Sequence, residues 1–108
     1  MANTFTSYLT SQVGTTASTV VTVGSSTQTT VIGMSIANVI ASPATCDVYI
    51  TRSAVNYYLI KGAVVAPGGV LVIVGGDQKV VLTTGDALSV VTSAAASMDV
   101  ITSVLNIT

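Results

Sequence analysis

Four carboxylates, three cations and one thiol are the side chains here with strong chemistry of their own. They are Asp47, Asp77, Asp86 and Asp99, then Arg52, Lys61 and Lys79, then Cys46. The sequence has no His, so a Ser-His-Asp or Cys-His nucleophile lacks its base. With one Cys as well, no zinc or other transition-metal site of His/Cys type can form. A Ser-Lys dyad would have to use Lys61 or Lys79, and both stand at the ends of expected strands, where a solvated charge is the ordinary outcome. Asp77 follows Gly75-Gly76 and Asp86 follows Gly85, turn positions in which Asp bonds nearby backbone amides. A calcium site needs about six oxygens, often from clustered Asp and Asn, and the four Asp are scattered. The glycines between Gly68 and Gly76 match neither GxxxxGK[ST] nor GxGxxG, so they read as turns and not as a phosphate loop. The expectation is a protein with no cofactor and no catalytic site.

The 108 residues are 50% hydrophobic and 6% charged, with a net charge of −1. An average soluble protein carries roughly 25% charge. Three basic residues cannot build the footprint that draws a protein to phosphates, so no nucleic-acid partner is expected. The most apolar stretch, Gly62 to Gly76, is broken by Pro67-Gly68-Gly69 and falls short of the ~20 residues of a membrane-spanning helix. Met1 to Tyr8 lacks the basic and apolar regions of a signal peptide. A soluble, unprocessed chain is expected, with no membrane partner. Cys46 stands alone and reads as a small core residue. Near-zero charge and long β-branched runs would expose a free monomer to edge-to-edge aggregation. Burial among copies of itself, or in a larger particle, removes that hazard, so homo-oligomerisation is expected.

Val, Ile, Thr and Ser dominate, and β-branched residues favour a pleated surface over a helix. The chain therefore reads as all-β: one domain over residues 1–108, a β-sandwich or jelly roll of about seven to nine antiparallel strands. Residues 1–14 are either a first strand or an N-terminal arm. Thr15 to Val23 and Thr29 to Val39 read as strands, the second with Ile32, Met34 and Ile36 on one face. Cys46 to Arg52 alternates, with Cys46, Val48 and Ile50 inward, and Asn56 to Lys61 returns as its hairpin partner. Val70 to Val74 is continuously apolar, as in a strand covered on both faces. Gly75 to Gln78 reads as a tight turn, and Lys79 to Leu82 as a short strand. Ala87 to Ser93 and Met98 to Thr108 read as a closing hairpin.

The aromatic residues supply the candidate contacts. Tyr57 and Tyr58 are adjacent, so in a strand they point to opposite faces, one to the core and one outward. Tyr is common at interfaces because its ring is apolar and its hydroxyl polar. Phe5, Tyr8, Leu9 and Tyr58 are the residues expected to touch a partner. An exposed Tyr also permits a carbohydrate- or receptor-binding platform, although such platforms usually use Trp, which is absent.

From Val31 to Ile107 the sequence resembles small structural proteins of tailed bacteriophages, those of cyanophages and marine phages in particular. The residues that carry the likeness are Val31-Ile32-Gly33-Met34-Ser35-Ile36-Ala37-Asn38, Tyr57-Tyr58-Leu59-Ile60-Lys61, Pro67-Gly68-Gly69, Leu82 to Val90, and Met98-Asp99-Val100. The resemblance implies a β-sandwich that decorates the virion, as a head decoration (cement) protein or a neck, tail or fibre component. It also implies a homotrimer seated on the major capsid protein or on another virion protein.

Overall fold

The computed structural model describes residues 2–75 and 78–108. Its strands are β1 (Asn3–Val13), β2 (Ser18–Thr22), β3 (Gln28–Asn38), β4 (Ala44–Arg52), β5 (Val55–Val65), β6 (Val70–Val74), β7 (Val80–Leu82), β8 (Ala87–Thr92) and β9 (Met98–Ile107). They form two antiparallel sheets. One is ordered β1-β9-β3-β6, with β7 also paired to β3, and the other β2-β8-β4-β5. The chain changes sheet at most connections, which is the wrapping of a jelly roll. The edge beside β3 is shared: β6 pairs with Met34 to Ala37 and β7 with Thr29 to Val31. Residues 1–14 supply a first strand, since β1 runs along β9 from Asn3 to Val13.

Alternation sets which side chains meet between the sheets. On β4, Cys46 and Val48 are buried and Asp47 and Tyr49 face away, as expected. Strand β3 departs from simple alternation. A bulge between Val31 and Gly33 flips the phase, so Thr29 and Val31 before it and Met34, Ile36 and Asn38 after it all reach the core. Ile32, expected to face inward with Met34, is pushed half out.

Two further expectations fail on tertiary grounds. The last two strands do not form a hairpin. β8 pairs with β2 and β4, and β9 pairs with β1 and β3 in the other sheet. Each strand has an apolar side, Leu88 and Val90 on one and Val100 and Val104 on the other, and these bury more by facing across the core than by lying side by side. The crossing is tied down where Thr92 and Ser97 share a 2.7 Å hydrogen bond and the Ser97 amide donates to the Val13 carbonyl at 3.0 Å. Strand β6 is covered on one face only: Leu71 and Ile73 pack against the core, joined by Val74 past a register shift, but Val70 and Val72 are exposed. The expected turn at Gly75 to Gln78 includes Gly76 and Asp77, which lie outside the described residues.

The core is Val, Ile, Leu and Met with small residues, and none of the aromatic rings is fully buried. Buried polar groups close the ends of the sandwich. At one end the Asn38 side-chain amide donates to the Ser42 and Val65 carbonyls, both at 2.9 Å, and its oxygen accepts from the Ile40 amide at 3.0 Å. At the other, the buried Asp86 carboxylate accepts from Arg52 Nε at 2.9 Å and Nη2 at 2.6 Å.

Candidate assembly surface

The charged side chains are employed where the strands are irregular. Asp47 accepts the amide of Gly62 at 2.7 Å, at a residue with φ of 68°. Asp99 accepts the amide of Gln12 at 2.9 Å, where φ is 55°. Asp86 accepts the Thr83 amide at 2.9 Å, as its turn position implies. The Arg52 hydrogen bonds hold the Asp86 carboxyl below the ordinary carboxylate range against the opposing effect of burial, and Thr83 adds to the lowering. Lys61 lies within β5 and not at a strand end, 3.7 Å from Asp47 and 4.4 Å above the Tyr58 ring. Among the described residues no group of three or more His, Cys, Asp or Glu is placed to hold a metal. Asp77 lies outside those residues. Cys46 is 1% exposed, and burial, with Asp47 nearby, pushes its thiol pKa up. This is the environment of an unreactive core thiol.

The four candidate contact residues fall on three surfaces. Phe5 (75% exposed) and Leu9 (73%) project from the outer face of the five-stranded sheet. Tyr8 points the other way and packs, half-buried, against the core, so it is no outward contact. Tyr58 lies on the outer face of the four-stranded sheet, its ring 5.3 Å from that of Tyr49. Neither Tyr57 nor Tyr58 is in the core. Tyr57 pairs with the half-buried Ile50 but sits beside the Ser53–Ala54 turn, at a hairpin tip left uncovered, and is 57% exposed. There Ile50, Arg52 and Tyr57 line a shallow hollow of about 390 Å³.

The five-stranded sheet presents the larger feature. Its cross-strand register arranges the outer face in rows. Leu9, Ile101, Ser35 and Val72 lie side by side in one. Next to it run Ser7, Ser103 and Gly33, and beyond them Phe5, Leu105, Thr30 and Val81. The face is thus a low trough between two apolar ridges. The wall between trough and first ridge holds a depression of about 250 Å³, with Gly33, Val72, Ile101 and Ser103 in its lining. Of the exposed apolar residues on this face, Phe5 and Leu9 were among the sequence candidates, and Val70, Val72, Val81 and Ile101 were not. Their exposure depends on which strand is an edge and which face is bare.

No protein-family model and no curated protein matches the sequence. Among solved structures, the chain is similar to one from Bacillus endospore appendages, described as a novel family of disulfide-linked pili. The TM-score is 0.57 at 15% identity, over 99% of this chain and 87% of that one. At that identity the likeness is one of fold, and the shared fold is the two-sheet β architecture.

Proposed function

We propose that this chain is a structural subunit that acts by packing into a surface assembly, and that its place is on a phage virion as a capsid decoration (cement) protein. The observation that carries the reading is the outer face of the five-stranded sheet, apolar and almost without charge. Exposed apolar patches of this extent mark contact surfaces. The sequence resemblance from Val31 to Ile107 supports the virion as the site, and a fold shared with a pilus subunit supports assembly as the mode of action. The mechanism is adhesive: many weak contacts joined on one particle must all open before the shell opens.

One difference from the appendage pili follows from Cys46. A chain with a single thiol, 1% exposed, has no pair of accessible sulfurs with which to link successive copies. Contacts between copies of this protein are therefore non-covalent, and reducing agent leaves its assemblies intact. The test is quantitative mass spectrometry of purified virions together with antibody labelling in electron micrographs. The expected result is label over the head, with a copy number in proportion to the shell protein. Label confined to neck or tail, at ring stoichiometry, overturns the decoration role, and absence from virions overturns the virion role altogether.

A further inference from the structure

We infer that the outer face of the five-stranded sheet pairs with the same face of a second copy of this chain, an inference that rests on reading the protein as an assembly subunit. Size is the first argument. Four strands at ~4.8 Å spacing and about nine residues at ~3.4 Å rise cover on the order of 600 Å² in plan. Side-chain relief brings this near the ~800 Å² that each partner buries in a standard stable interface.

Charge is the second. In a like-to-like contact, a charge close to the symmetry axis is brought against its own copy and repelled, so the centre of such a face must be nearly free of charge. On the strands of this face the charged residue is Asp99, at the end of the rows and already bonded to the Gln12 amide, and exposed Lys79 stands at the edge, just before β7. A different protein is ordinarily selected through complementary charge, and the rows of Leu, Ile, Val, Ser and Thr offer almost none. A second copy meets no such demand.

Shape is the third. Place a two-fold axis across the strands, midway between the trough and the ridge of Leu9, Ile101 and Val72. Each copy's ridge then lies in the other's trough, the self-complementary arrangement of an isologous dimer. Gly33, at the trough floor, fits this placement. Its φ is outside the left-handed region, and a Cβ added there meets nothing within 4 Å. Gly33 also borders the β3 bulge, but the chain's own packing leaves room for a side chain at that point. Close approach by another surface calls for glycine there. The contact is two-fold, so it joins pairs, and a trimer of the kind the phage resemblance implies would have to use other surfaces.

Sedimentation of the full chain across a concentration series tests the pairing. The expected result is a species of twice the chain mass that dissociates on dilution. Gly33→Leu fills the trough and Val72→Lys charges the ridge. Each is expected to weaken the dimer by roughly tenfold or more, while the dilute protein keeps its circular dichroism and melting temperature. Val64→Lys, on the exposed outer face of the other sheet, is expected to leave the dimer unchanged. A chain of single mass at every concentration overturns the inference. So does a dimer that Val64→Lys weakens and the two trough-and-ridge variants do not, or a monomer that holds a shell protein through Gly33 and Val72. Absence from virions with the dimer intact overturns the functional reading and leaves the pairing in place.

Discussion

The outer faces of the two sheets are drawn from one palette of Thr, Ser, Val and Tyr, and they are finished differently. On the four-stranded sheet several large groups satisfy one another, although Val64 is 69% exposed. Tyr49 and Tyr58 stack at a tilt of 50°, Lys61 lies over Tyr58 and beside Asp47, and the Thr19 and Ser89 hydroxyls meet at 3.4 Å. On the five-stranded sheet Phe5, Leu9, Val70, Val72, Val81 and Ile101 are each more than half exposed and face solvent. Apolar surface gains about 25 cal/mol per Å² when it leaves water, so the second face holds free energy that folding alone does not release. The difference teaches that low overall charge is not spread evenly. Among the described residues most ions lie along the four-stranded sheet, while the five-stranded sheet carries Asp99 on β9 and Lys79 before β7 and otherwise shows apolar and hydroxyl side chains.

If the four-stranded sheet depends on its own ions, the sharpest break comes at Asp86, which joins the β4 end to the turn before β8. Asp86→Asn removes the partner of both Arg52 donors and weakens the bond to the Thr83 amide. Bonds to a charged group contribute about 1.5–3 kcal/mol, so a loss of about 2–3 kcal/mol is expected, read as a melting temperature lower by about 10 °C or more. The sign with pH follows from the lowered carboxyl. A group with a depressed folded pKa adds stability above its unfolded value of about 3.9 and loses it as pH falls through the folded value. Urea midpoints of the wild type should therefore fall between pH 5 and pH 2, and those of Asp86→Asn should fall less. Equal acid slopes would remove Arg52 and Asp86 as the clamp.

The inner faces sharpen the contrast in the opposite direction. In the four-stranded sheet, Thr92 is bonded to Ser97 and to the Ala94 carbonyl at 2.8 Å. In the five-stranded sheet, Thr102 Oγ1 is buried with no hydrogen-bond partner among the described residues. An unsatisfied buried hydroxyl costs about 1–3 kcal/mol. Thr102→Val keeps the shape and removes the polar atom, and a gain of about 1 kcal/mol in the denaturant midpoint is expected. A loss instead would mean that the hydroxyl is satisfied in solution.

How much of this the sequence shows depends on the range of the interaction that decides each feature. Cys46 to Lys61 was legible as a hairpin because its alternation and its turn are local. The all-β class was legible because the abundance of Val, Ile and Thr decides it. The bulge at Ile32 was not, because Ile, Gly and Met alternate acceptably in either phase and only the pairing of β3 with β9 fixes the choice. The sheet change between β8 and β9 was hidden for a similar reason: the residues between Ser93 and Ser97 would serve a hairpin as well as a crossover. Tyr8 looked like a contact because aromatic residues near a terminus often are, yet its strand parity turns it inward while Phe5 and Leu9 turn out. The bare face itself was invisible, since Val70 to Val74 reads the same whether one side is covered or two.

The smallest effect tests whether the self-satisfied face is held by its ions or only decorated by them. Lys61 is two-thirds exposed at its side chain and its ion pair is long, at 3.7 Å. Exposed pairs contribute about 0–1 kcal/mol and weaken in salt. Its position over the Tyr58 ring adds roughly 0.5 kcal/mol of cation–π attraction at an exposed site. Lys61→Met keeps the apolar stem that covers the ring and deletes both electrostatic contributions. The expected loss is about 0.5 kcal/mol at low ionic strength, shrinking in molar salt. Asp47 keeps its bond to the Gly62 amide in this variant, so the β5 irregularity stays formed. A loss several times larger and insensitive to salt would show that the four-stranded face depends on Lys61 for its packing. The contrast between the two faces would then lie in how tightly each is packed, and the placement of charge would be its consequence.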